Sequence, residues 1–263
     1  MADVETVKVC VPESAVLDRR THYCHGTGEL QPGREKREPV DLLEAIQARK
    51  SVRAFKPDPV PVETLTTLLE IAQRAPSGTN TQPWHVYVCT GEVKQALTEE
   101  ALEMVRAGTG RGYEEFDFYP ATWKDVHNNR RREVGWALYN LVGVEKGDRE
   151  GSARQAERNY LFFDAPVGIF VTVDSYLKYG NWLAAGIYIQ TLMLAAEGLG
   201  LATCAQGSWI PYQEAVRKHL GIPDDESVVT GMSLGFAEPD RIENSLVTVR
   251  EPLENVVHWS GFD

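Results

Sequence analysis

The sequence predicts a layered α/β or α+β domain rather than a β-sandwich, and three observations carry that reading. Short β-branched or apolar runs read as strands: WHVYVCT at 84–90, PVGIFVTVD at 166–174, LATCA at 201–205 and VVTGMSLGFA at 228–237. Segments of helical periodicity lie between them, and no tight hairpin signal joins one run to the next. With 263 residues, 43% of them hydrophobic and 25% charged, the chain can bury a sizeable core as one unit.

Residues 1–38 mix charge, proline and glycine without an apolar period, which predicts an N-terminal arm followed by one domain over 39–263. Val40, Leu42, Leu43 and Ile46 recur at helical spacing and predict a first helix over about 41–50, with Asp41 placed where an acid favours the helix dipole. The run Lys56-Pro57-Asp58-Pro59-Val60-Pro61 breaks it, because each proline removes a donor and biases its predecessor away from helix. Leu65, Leu68, Leu69, Ile71 and Ala72 mark a second helix, stopped by Ala75-Pro76-Ser77-Gly78. After the strand at 84–90, Glu92 to Ala107 returns to helical composition.

Residues of about 108–157 read as an insertion that opens on GTGRGYEEFDFYP and carries one helix around Trp136 to Val142. Its Arg130-Arg131-Arg132 triplet reads as a solvated helix face. The stretch from Trp182 to Ala202 is nearly all apolar, yet Gln190 and Glu197 interrupt it and no basic flank follows. It is therefore read as a helix buried in the core or at a subunit interface, not as a membrane span.

Composition narrows the function. With 38 acidic and 27 basic residues the net charge is −11, which makes nucleic acid a poor partner. The opening MADVETVKVC does not resemble a secretory signal, so the expected address is cytoplasmic. Cys10, Cys24, Cys89 and Cys204 show no CxxC pair and read as reduced thiols. His22, Cys24 and His25 crowd together in the arm, but His85, His127, His219 and His258 offer no spaced partner set, so no metal is expected. Walker, GxGxxG and HExxH patterns are absent from the sequence.

Arg49-Lys50-Ser51-Val52-Arg53, at the end of the first helix, gathers three cations and a hydroxyl within five residues. Arginine can give a phosphate two charge-assisted bonds, and residues two apart in an extended segment project to one side, so Arg49, Ser51 and Arg53 can converge. Taken alone, the pentapeptide fits solvated cations at a helix C-terminus better. It gains weight from Pro76-Ser77-Gly78-Thr79-Asn80-Thr81-Gln82-Pro83-Trp84 about one helix further on. The pair RKSVRAF and APSGTNTQPWHVYV resembles the signature of the FMN-dependent nitroreductase family. The resemblance continues through APVGIFVTVD, GLGLATCAQGSW, GFAEPD and VTVREPLENVVHW, and so spans roughly residues 39–259.

That resemblance implies an α+β fold with a central mixed sheet flanked by helices, in a domain-swapped homodimer whose subunits share each active site. It implies FMN as the bound cofactor, NADH or NADPH as electron donor and a small aromatic, nitro-bearing acceptor, in a ping-pong reaction that requires no catalytic side chain. Arg49 and Ser51 would hold the FMN phosphate, Arg53 would approach the flavin pyrimidine edge or ribityl chain, and Lys50 would contribute backbone. Pro76, Ser77, Gly78 and Asn80 match the loop laid against the other subunit's flavin, with Gln82, Pro83 and Trp84 shaping it. Gln206 and Gly207 match the position whose amides approach flavin O4 and N5, although an acid is common where Gln206 stands. Arg250, on a C-terminal arm of about 240–263, matches a second phosphate arginine, with Thr248 where some members carry another cation. A quinone, enoate or halophenol acceptor, or a non-catalytic FMN carrier, are the alternatives. Tyr113, Phe116, Phe118, Tyr119 and Trp123 fit either a stacking surface for the acceptor or local core.

Overall fold

The computed structural model describes residues 41–111 and 118–262, all within the unit Pro39–Asp263. The expected N-terminal arm, and Tyr113 and Phe116 of the insertion, lie outside the described residues.

Helix α1 (Leu42–Ala48) starts at Asp41, whose carboxylate accepts from the backbone amides of Leu43 at 2.8 Å and Glu44. It stops before the expected end because Arg49 turns to extended backbone, with ψ at 123°. Helix α2 (Val62–Ala72) follows the proline run and buries Leu68 and Ala72. Strand β1 (Trp84–Cys89) leads into α3 (Gly91–Ala107), which a left-handed Gly108 ends at φ 66°. The insertion carries two helices, α4 (Asp125–Leu141) and α5 (Arg149–Glu157), where one was expected; Asp148 caps the second through the Gly151 amide. Then come β2 (Val167–Asp174), α6 (Tyr179–Gly198), β3 (Ala202–Gln206), α7 (Gln213–Leu220) and β4 (Glu226–Gly235). Helix α7 was not read from the sequence, although its basic last turn and Gly221 at φ 63° are helix-stop signals.

The strands form one sheet in the order β1-β2-β4-β3, antiparallel at each pairing. Among the described residues, the parallel character expected of a mixed sheet is confined to a single bridge, Ser51 to Thr203, on the outer edge of β3. It extends no further because Val52 donates to the Thr203 carbonyl at 3.0 Å while the next amide, of Arg53, turns to the Asn244 side chain at 2.8 Å.

β2 is buried on both faces, and alternation divides its side chains between two layers. Val167, Ile169 and Val171 face Leu68, Tyr188 and Leu192 of α2 and α6. Phe170 faces Leu97, Trp209 and Val216, on the side of α3 and α7. The 3-10 turn Gly207–Tyr212 puts Trp209 into that second layer, with ring centroids of Tyr160, Phe162 and Phe170 at 5.3, 4.8 and 5.3 Å. Gly231 is required beneath it, because a Cβ there would lie 2.4 Å from the indole.

The apolar sequence of α6 has a two-sided fate. Ala185, Tyr188, Leu192 and Ala196 are buried against the sheet, whereas Tyr179, Leu183 and Ile187 are exposed in the single chain. No helix among the described residues is long and apolar enough to cross a membrane.

Candidate active site

The extended backbone after α1 lays Arg49, Lys50, Ser51 and Arg53 along the edge of β3. Three contacts hold the segment there. Lys50 Nζ donates to the Asn244 carbonyl at 2.5 Å, the Arg53 amide donates to Asn244 Oδ1 at 2.8 Å, and Arg158 donates to the Arg53 carbonyl at 3.1 Å. The Asn244 amide group donates in turn to the carbonyls of Ala54 and Glu238, both at 2.8 Å. Asn244 and Arg158 thus position the basic segment. No motif flagged either residue, because both act through backbone atoms far away in sequence.

Arg49, Lys50 and Arg53 make no ion pair within the described residues. Glu197 of α6 is near enough to feel Arg49 and Lys50, but burial dominates and pushes its carboxyl above the usual range. Three cations thus flank Ser51 in sequence without an ion pair among the described residues, on a chain of net charge −11. The Ser51 hydroxyl meets the buried Cys204 thiol, whose pKa burial pushes up despite the opposing pull of Arg53 and Ser51. Cys89, also buried, is pushed up to about 12. Both thiols are buried, which disfavours the reactive thiolate form.

At the far end of β3, Gln206 is 2% exposed and both ends of its amide are used internally. Nε2 donates to the Asn159 carbonyl at 2.6 Å, and Oε1 accepts from the Ser233 hydroxyl at 2.7 Å. Its side chain is therefore structural, and a carboxylate here could not donate to Asn159. Gly207 sits beneath Phe118 of the insertion, close enough that a Cβ would lie 2.8 Å from that ring. Phe118 packs edge-on to Tyr119 at 4.8 Å, and Tyr119 lies 5.7 Å from Trp123.

The loop at 76–80 is exposed or half-buried and strained. Thr79, Asn80 and Gln82 have φ values of 49°, 58° and 46°, a region non-glycine residues seldom occupy. Ser77 Oγ stabilises the turn by accepting from the Gln82 amide at 2.9 Å. Trp84 is core, stacked on Tyr188 at 4.8 Å. No hydrogen bond or ion pair between described residues joins Pro76, Ser77, Gly78 or Asn80 to the Arg49–Arg53 segment. Arg250 is likewise apart. It bonds Thr248 at 2.7 Å on a C-terminal segment that lies against α4, where Arg130 of the basic triplet pairs with Glu251 at 2.6 Å. One chain therefore brings together the basic segment and β3, but neither the loop nor Arg250.

Comparison with known proteins fits this arrangement. The family model described as "Nitroreductase family" matches residues 46–236. A 4-nitrobenzoate reductase of Pseudomonas putida is 38% identical over 223 residues, covering 85% of this chain and 97% of its own. The crystal structure of the FMN and NADPH-dependent nitroreductase NfnB from Sphigopyxis sp. strain HMH superposes with a TM-score of 0.82 at 36% identity, over 85% of this chain and 100% of that one. The FMN-dependent nitroreductase NfnB from Mycobacterium smegmatis, solved in complex with NADPH, gives a TM-score of 0.79 at 30% identity, over 84% of this chain and 100% of that one. With its strands, its basic edge and its glycine-bearing turn in this order, the chain belongs to the nitroreductase family.

Proposed function

We propose that this protein is a cytoplasmic, FMN-dependent NAD(P)H oxidoreductase that reduces small nitroaromatic compounds. The observation that carries the reading is the set Arg49, Lys50 and Arg53 beside Ser51 at the edge of β3, none of them in an ion pair among the described residues. That donor set fits the phosphate of FMN, a dianion bound best by charge-assisted donors. Bound FMN supplies hydride acceptance and donation at N5, which is why the buried thiols need not take part. Arg49 and Ser51 hold the phosphate. Arg53 would approach the flavin pyrimidine edge or ribityl chain, where its positive charge would favour the reduced, anionic flavin. The missing side chain of Gly207 lets the Phe118 ring close over the end of β3, which brings an aromatic residue of the insertion to the place where a planar acceptor would stack.

Under this reading NAD(P)H and nitroarene occupy one site in succession. Double-reciprocal plots of initial rate are expected to be parallel, with the oxidised nicotinamide competing against the nitroarene. Intersecting lines would indicate a ternary complex and oppose the shared site.

The working unit is a homodimer. Leu42, Leu43 and Ile46 on α1, Leu183 and Ile187 on α6, and Val247, Val249, Leu253, Trp259 and Phe262 of the C-terminal segment are apolar yet exposed in the single chain. A second copy would cover them and bring its own 76–80 loop and Arg250 to this chain's basic edge. Obligate interfaces of this kind commonly bury more than about 2,000 Å². Light scattering at nanomolar to micromolar concentration is expected to give a dimer throughout, and an FMN-loaded, active monomer would contradict it.

A further inference from the structure

Three strands bring His85, Asp174 and Glu226 together on the α3 and α7 side of the sheet, at the edge away from β3. Asp174, the last residue of β2, pairs directly with Glu226, the first of β4, so their side chains share a face. His85 on β1 pairs with Thr172, two residues before Asp174, and shares that face. One ligand atom from each of the three lies within 4.8 Å of the others, and His85 Nε2 is 3.1 Å from Asp174 Oδ1. We infer that these three residues form a binding site for a divalent first-row transition cation of the zinc type.

Electrostatics supplies the first reason. Like charges directly opposed on neighbouring strands repel. The only ion pair among the described residues to either carboxylate is from His85, and it exists only when that ring is protonated. Arg217 donates instead to the main-chain carbonyls of Pro223 at 2.6 Å and of Glu226. A bound cation would relieve the repulsion that Arg217 leaves.

Preorganisation supplies the second. Glu226 is 6% exposed, and its carboxylate is oriented by the Tyr87 hydroxyl, 3.0 Å from each oxygen, and by the Thr172 hydroxyl. Such outer partners fix a metal ligand's geometry. An ionised carboxylate has about four lone-pair sites, so the two hydroxyls do not exhaust it.

Reach and access supply the third. Metal bonds of about 2.0–2.2 Å set ligand atoms roughly 3–4 Å apart. The His85–Asp174 pair already meets this, and the half-exposed Asp174 and exposed His85 can rotate to close the rest. An imidazole beside two carboxylates favours zinc-type ions over magnesium or calcium. The exposed His85 side leaves the cation an entry path and a position for water.

The test uses flavin-loaded protein stripped with a chelator and dialysed against micromolar Zn²⁺ with millimolar Mg²⁺ present, with bound zinc counted by elemental analysis. Thiols and other histidines also take up zinc, so parent, His85→Ala and Asp174→Asn are compared. Each variant is expected to hold one equivalent per chain fewer than the parent, or to bind that equivalent at least tenfold more weakly. Zn²⁺ is expected to raise the parent's Tm and not the variants'. Variants that keep the parent's zinc stoichiometry, affinity and zinc-dependent Tm would overturn the site, as would loss of the parent's zinc to Mg²⁺.

Discussion

Arg49→Ala is expected to weaken FMN binding about ten- to more than a hundredfold while changing riboflavin affinity far less. A hydrogen bond to a charged group contributes about 1.5–3 kcal/mol, and each 1.4 kcal/mol is a factor of ten. Arg49 follows the end of α1 on extended backbone, makes no ion pair among the described residues and lies outside the buried core. The effect should therefore fall on the phosphate alone. Titration of deflavinated protein by flavin fluorescence measures both affinities. Equal losses for FMN and riboflavin would remove Arg49 from the phosphate site, and an unchanged Tm would show that the fold is intact.

Trp209→Ala is expected to cost about 3–5 kcal/mol, the range for truncating a fully buried tryptophan or phenylalanine. The indole is 0% exposed and packed among Tyr160, Phe162 and Phe170, and Gly231 has no side chain with which to fill the space. For a domain of this size each kcal/mol moves Tm by about 2–4 °C, so calorimetry should show a fall of roughly 6–20 °C. A fall below about 3 °C would show that the second layer can collapse around the cavity. Because Trp209 sits in the turn that begins at Gly207, flavin occupancy is expected to fall with stability.

The elements legible in the sequence were those with a strong period or punctuation. Asp41, the proline run at 57–61 and the β-branched run of β2 placed α1, α2 and the central strand to within a few residues. Helix α7 was missed because its eight residues follow a proline-bearing turn and leave only one buried stripe, Ala215 and Val216. The second insertion helix was hidden by a composition almost without apolar residues. The basic segment suggested a phosphate clamp only in the company of the 76–84 loop, and that role stays a proposal. Its anchors, Asn244 and Arg158, were not, since each acts over more than a hundred residues through backbone groups. His85 was set aside as a metal ligand because its neighbours in sequence offer no partner. Its carboxylates arrive by strand pairing, which spacing along the chain does not report. Gln206 looked like a change of charge at the reacting edge. Its two internal bonds show a side chain committed to the fold instead.

The central claim is that electrons pass from a nicotinamide through FMN to a nitroarene, and one measurement addresses it directly. Flavin-loaded protein is reduced anaerobically with NADPH, and in a parallel run with NADH, then mixed in a stopped-flow instrument with a panel of acceptors while flavin absorbance is followed. The expected result is bleaching by the nicotinamide, then recovery with nitrobenzoates and other nitroarenes much faster than with buffer alone. No bleaching would leave a flavin carrier. Bleaching followed by recovery with a quinone or halogenated phenol, but with no nitroarene faster than buffer, would contradict nitro reduction and leave a different acceptor for the same fold.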